Sequence, residues 1–193
     1  LARDNTEKIS TSVNKIIADI ETDGDEKLLE YTNLYDDRAG VSVESLLFEK
    51  KALETAYRSL DKKIKNALQI AHDRVFLYHE KQLEALGSGT DWSYQDDQGN
   101  ILGQYVRGME RVGIYVPGGK AAYPSTVMMT AIPARVAGVK EIICCVPAPK
   151  GVCSETVLAA AHLCKVDRVF SIGGAQAIAA MAFGTGLVPK VDK

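Results

Sequence analysis

Between Val112 and Phe183 the chain alternates short apolar runs with alanine-rich stretches. This pattern predicts strands over Val112–Val116, Glu141–Val146 and Arg168–Ile172. They alternate with helices over Ser125–Ala137, Ser154–Cys164 and Ala175–Phe183. Alternation of this kind commits a chain to right-handed crossovers and a parallel sheet, an α/β fold. Two of the strands run into paired glycines, Gly118-Gly119 and Gly173-Gly174. Such pairs let the backbone pass close to a ligand, and the helix that follows offers unpaired N–H groups to an anion. In an open α/β sheet this is the layout of a small-molecule or nucleotide site at the carboxyl ends of the strands. The same glycines also suit a plain tight turn. The last helix has no strand after it, so the pattern is interrupted rather than finished.

Ahead of this unit the period is helical. Ile9, Val13, Ile16, Ile17 and Ile20 form one face of a helix over Asp4–Glu21, and Asp23-Gly24-Asp25 ends it. A second helix follows, with Leu28, Leu29, Thr32 and Tyr35 available for packing, then a loop at Asp36-Asp37 and Gly40. A third covers Lys50–Leu60. A fourth runs from Asp61 to Leu86 with Ile64, Ala67, Leu68, Ala71, Val75 and Tyr78 on one stripe. Gly87-Ser88-Gly89 closes the helical part. Asp91–Gln95 and Ile101–Arg107 then predict a hairpin, joined by Asp96-Asp97-Gln98-Gly99-Asn100. The expected organisation is a mainly helical N-terminal region over residues 1–90, then a hairpin and parallel α/β unit over 91–193.

Composition excludes several functions. A net charge of -2 with no basic run gives nucleic acid and anionic membranes nothing to bind. No apolar stretch is long enough to span a membrane, and no secretory signal is visible. The chain starts at Leu1 rather than Met, which reads as a trimmed start. Cys144 and Cys145 are neighbours in a strand and point to opposite faces. With Cys153 and Cys164 they form no C-x-x-C, so all four read as buried, reduced thiols of a cytosolic protein. His72, His79 and His162 are scattered and lack the partners of a metal site or a catalytic triad. The sequence therefore offers no catalytic and no metal-ligating residue.

The Pro117-Gly118-Gly119 loop is not a standard dinucleotide fingerprint, which needs G-x-G-x-x-G and an acidic residue about 20 positions on. The second strand ends instead in Val146-Pro147. Gln176, in the first turn of the last helix, suits either a ligand contact or a helix cap. Pro133 removes one backbone bond inside its helix and is expected to bend it.

The order VGIYVPGG…YPSTV…PARVAGV…GGAQAIAA…VPKVDK, with GDEKLLEYTNLYD and YHEKQ ahead of it, closely resembles the histidinol dehydrogenase family from about Ile9 to Lys193. The resemblance implies an incomplete Rossmann-like α/β unit. It also implies oxidation of L-histidinol to L-histidine by two hydride transfers to NAD, with a bound zinc ion and a homodimeric enzyme. Carried over by motif, Tyr115 and Gln176 fall on NAD-contacting positions, with Pro117 in the same loop. The family's zinc ligands and its Glu-His base pair lie beyond VPKVDK, so the chain is expected to be the amino-terminal portion of such an enzyme and inactive alone. Two other readings fit the same residues: a zinc and NAD enzyme for a different alcohol, such as a sulfonated diol, and a non-catalytic binding or assembly module.

Overall fold

The computed structural model describes residues 2–38, 41–87, 91–118 and 122–193. Gly40, Ser88, Gly89 and Gly119, read above as loop glycines and serine, lie outside the described residues. Helix α1 spans Ala2–Asp23 and α2 spans Asp25–Asp36. Between them Gly24 sits at φ +54°, in the left-handed region that glycine adopts without strain. Its N–H closes α1 on the Ile20 carbonyl and its own carbonyl receives Leu28 N–H, so one residue ends one helix and starts the next. Ile16 and Ile20 of α1 and Leu28, Tyr31 and Thr32 of α2 are buried. Tyr35 is exposed and stacks on Tyr31 instead of entering the core.

A 3-10 turn over Val43–Leu46 leads into a two-residue strand, β1 (Leu47–Phe48). Helix α3 spans Lys50–Ser59 and α4 spans Lys62–Ala85, the latter capped by the Asp61 carboxylate on Lys63 N–H. The stripe expected to pack α4 is largely uncovered: only Leu68 is buried, while Ile64 is 43% and Tyr78 66% exposed. Strands β2 (Trp92–Gln95) and β3 (Ile101–Gln104) pair antiparallel as the expected hairpin, shorter than read and exposed throughout.

The remaining elements follow the predicted alternation. They are β4 (Arg111–Tyr115), α5 (Pro124–Val136), β5 (Glu141–Cys145), α6 (Glu155–Leu163), β6 (Arg168–Phe170) and α7 (Gly174–Phe183). Among the described residues the three expected parallel strands are joined by a fourth, in the order β1-β6-β5-β4. The pairs β4–β5 and β5–β6 are parallel, and β1 lies antiparallel on β6 with Leu47 opposite Phe170. The fourth strand escapes a sequence reading because two residues carry no period. It forms because β6 offers an open edge, and Ser171 N–H extends the pairing to the Leu46 carbonyl.

Alternation along the parallel strands fills two cores. Ile142, Cys144, Val146 and Val169 face α3, α5 and α6 with Ile114. Ile143, Cys145, Phe170 and Ile172 face α1, α2 and α7. Both faces of the sheet are thus covered, as parallel strands require. Cys144 and Cys145 point into different cores, as their adjacency dictates. Burial holds the Cys144 thiol well above its usual pKa and pushes Cys145 and Cys164 up to about 12. All stay neutral thiols and pack as small apolar groups. Among the described residues no helix is long and apolar enough to cross a membrane.

Candidate functional site

The carboxyl ends of β4, β5 and β6 converge on Pro147. A methyl group on Gly118 would come within 2.8 Å of the Pro147 ring, and one on Gly173 within 2.7 Å of Pro147 Cβ and closer still to Cγ. The rigid ring is therefore wedged between the loop leaving β4 and the loop leaving β6, and only glycine fits on either side. Sequence reading treated Val146-Pro147 as a missing acidic residue. Its structural part, a spacer between two glycine turns that lie far apart in sequence, has no local signal.

Tyr115 ends β4 half-buried, and its hydroxyl accepts the Gly174 N–H at 3.1 Å. The phenol thus ties β4 to the first residue of α7 and occupies one of the unpaired N–H groups at that helix start. Gly174 sits at φ +64°. The amide oxygen of Gln176 folds back to 2.6 Å from where a Gly174 Cβ would lie, so a side chain here would strain the backbone and displace the Gln176 amide. Gln176 itself is buried, at 2% exposure. Tyr115 and Gln176 therefore meet around Gly174. The second and third N–H groups of α7 face the same end of the sheet.

Pro117 lies on the other side of the Pro147 wedge. With Gly118, Pro147, Val152, Cys153 and Ser154 it lines a cleft of about 160 Å³. No charged side chain lines this cleft among the described residues. Burial pushes the Cys153 thiol up to about 11, so it is neutral and a poor nucleophile near pH 7. Beyond β6, Arg38 donates to the Ser171 hydroxyl at 2.5 Å and carbonyl at 3.3 Å, fixing the segment that leads into Gly173-Gly174.

The charged groups gather at the opposite end of the sheet. Glu141, at the start of β5, accepts from Arg111 of β4 at 2.5 Å and pairs with Arg168 of β6 at 2.9 Å. Arg135 pairs with Asp167 nearby. The sheet thus carries ion pairs at its amino ends and glycine turns and free N–H groups at its carboxyl ends. That arrangement suits an elongated polar ligand laid across the carboxyl ends and read through backbone groups. Among the described residues no carboxylate or imidazole lines the cleft beside Pro117. No three His, Cys, Asp or Glu side chains cluster to hold a metal among the described residues. His72 pairs with Asp73, His79 contacts Gln82, and His162 packs on Tyr57, each in a different place. These residues do not fit a zinc ion.

Residues 2–193 match the family model described as histidinol dehydrogenase. A histidinol dehydrogenase of Psychrobacter arcticus is 52% identical over 189 residues, 98% of this chain and 43% of the relative. One of Burkholderia lata is 54% identical over 185 residues, 96% of this chain and 42% of the relative. The crystal structure of histidinol dehydrogenase from Elizabethkingia anophelis superposes with a TM-score of 0.83 at 29% identity, over 95% of this chain and 41% of that one. The chain thus spans about two fifths of the length of these relatives.

Proposed function

Since the chain belongs to the histidinol dehydrogenase family, we propose that it forms the amino-terminal part of an enzyme that oxidises L-histidinol to L-histidine with NAD. In this reading each turnover moves two hydrides to two NAD molecules in succession. The alcohol carbon passes to the aldehyde, water adds, and the hydrate passes to the carboxylate. The residues described here contribute one wall of the dinucleotide site. The observation that carries this part is the contact between Tyr115 and Gly174, which brings the carboxyl end of β4 against the start of α7.

Each residue has a definite part to play. Backbone N–H groups at the start of α7 accept negative charge from the dinucleotide, a role favoured by the helix dipole. The half-buried Tyr115 ring supports a planar group, and its hydroxyl fixes the helix start. Gln176 holds the first turn of α7 and offers its amide to the ligand, while Pro117 shapes the mouth of the loop. In this reading zinc and the proton-transferring groups are held by other residues of the complete enzyme, since no three His, Cys, Asp or Glu side chains cluster among the described residues. The complete enzyme is a cytoplasmic homodimer in this reading.

The test is production of NADH by the relative-length protein with L-histidinol as the only alcohol. Two NADH per histidine formed is the expected stoichiometry. A protein of that length that folds and binds NAD but leaves L-histidinol unoxidised contradicts the proposal.

A further inference from the structure

Arg38 stands just past the end of α2, where Asp37 enters the left-handed region at φ +53° and Arg38 N–H closes on the Asn33 carbonyl at 3.3 Å. A cation is favoured there by the helix dipole. Its Nη1 reaches Ser171, 133 positions on, at the carboxyl end of β6. Ser171 is 1% exposed, and its hydroxyl has a single proton to give. The Leu46 carbonyl takes that proton at 3.0 Å and also takes Ser171 N–H at 2.7 Å. The hydroxyl oxygen is then left as an acceptor. Arg38 fills it at 2.5 Å and bonds the Ser171 carbonyl at 3.3 Å with the same nitrogen.

Ser171 stands two residues before Gly173, so this contact bears on the turn that starts α7. The turn Ser171-Ile172-Gly173-Gly174 is fixed from three sides: by Arg38 at Ser171, by the Pro147 ring at Gly173 and by the Tyr115 hydroxyl at Gly174. Ile172 between them is fully buried. The Arg38 guanidinium also lies beside the loop leaving β5. Its Nε and Nη2 are 3.8 and 3.9 Å from where a Cβ on Gly151 would stand. Arg38 therefore braces both loops that meet at the Pro147 wedge, while it does not itself line the cleft beside Pro117. Ser171 already makes two bonds to Leu46, so β1 stays on β6 without Arg38. What the guanidinium adds is a fixed direction for the chain as it enters the glycine turn.

We propose that Arg38 is a positioning residue for the dinucleotide. Its bonds to Ser171 set where the Gly173-Gly174 turn, and with it the unpaired N–H groups of α7, stand before the ligand arrives. Donors that are already in place bind an anion without the cost of ordering them first. Without the brace the turn samples other positions, and the penalty falls on NAD affinity rather than on the chemical step. This role rests on the function proposed above.

Steady-state kinetics on a protein of the relatives' length test it, with Tm as the check on folding. Arg38→Met keeps the apolar stem and loses the donors. It should raise the NAD KM roughly 3- to 10-fold and leave kcat and the L-histidinol KM within about two-fold of the parent. Arg38→Lys keeps one charged donor and should recover most of that loss. Ser171→Ala removes the same bond from the other side and should also raise the NAD KM. Adding Arg38→Met to it should then cost less than Arg38→Met costs alone, because the two residues act through one contact. If Arg38→Met does not fold, Ser171→Ala decides by the same split of constants. A parent that neither binds NAD nor oxidises L-histidinol overturns the proposed function and this role with it. A parent that does both, beside folded variants with an unchanged NAD KM, overturns the role alone. So does an equal rise in both constants, or a lower Tm with NAD affinity intact, since Arg38 would then only stabilise the fold.

Discussion

Replacing Gly173 by alanine tests the wedge that joins the two glycine turns. The backbone at Gly173 has φ -127°, which alanine adopts freely, so the effect is steric. The new methyl would lie 2.7 Å from Pro147 Cβ and 3.2 Å from its Cα, and closest to Cγ. A proline ring cannot rotate aside, so the backbone of one loop must move. Overpacking of this kind costs roughly 1–3 kcal/mol, offset by about 0.4–1 kcal/mol because alanine narrows the unfolded ensemble. The net expectation is a loss of about 1–2 kcal/mol. For a chain of this size that lowers Tm by roughly 3–6 °C. Pro147→Ala removes Cγ and Cδ but leaves Cβ, so the double variant should recover about 0.5–1 kcal/mol of the loss. Gly87→Ala is the control. Its site has φ +84° and open space around it, so its cost is backbone strain and should add to that of Pro147→Ala without coupling. Urea unfolding of the three single and two double variants measures all of these terms. A Gly173→Ala protein as stable as the parent, or a loss that Pro147→Ala leaves untouched, would refute the wedge.

Other outcomes follow from burial. Asp36 is 7% exposed, its Oδ2 has no hydrogen-bond partner, and desolvation raises its pKa above 3.8 despite a backbone bond from Ala148 and nearby Arg38. The folded state therefore binds this proton more tightly than the unfolded state, and stability from this group falls as pH rises above about 3.8 through the raised value. Asp36→Asn should then stabilise the protein at pH 7 by on the order of 1 kcal/mol, with the gain vanishing at lower pH; a pH series of urea midpoints that shows no such convergence contradicts it. A thiol reagent at pH 8 should leave the native protein nearly unlabelled, with Cys153 reacting first as pH rises towards about 11 and all four cysteines reacting after unfolding. Fast stoichiometric labelling of Cys144 or Cys145 in native protein would show that the two cores are open.

Much of the fold was legible because its elements carry strong periods. The three parallel strands, their helices and the hairpin stand where alternation put them, within one to three residues at each end. Gly24 announced its helix break by composition. What escaped had no local signature. Strand β1 exists only through its pairing with β6. The stripe on α4 had the right spacing for a core, yet periodicity says nothing of whether a partner covers it, and Ile64 and Tyr78 stay exposed. At the site, the glycine turns and Gln176 were visible as residues. Their relation was not, because Tyr115 and Gly174 are 59 positions apart and Pro147 touches both loops only in three dimensions.

The proposed dinucleotide wall is tested most directly at Tyr115, in a protein of the relatives' full length. Steady-state kinetics of Tyr115→Ala and Tyr115→Phe should be measured with NAD and L-histidinol varied in turn. Phenylalanine keeps the ring and loses only the bond to Gly174, worth about 0.5–1.5 kcal/mol. Tyr115→Phe is therefore expected to raise the NAD KM a few-fold, and Tyr115→Ala to raise it further, with the L-histidinol KM little changed in both. An equal rise in the two constants, or a loss of folding with no change in NAD affinity, would contradict the account and leave Tyr115 a packing residue between β4 and α7.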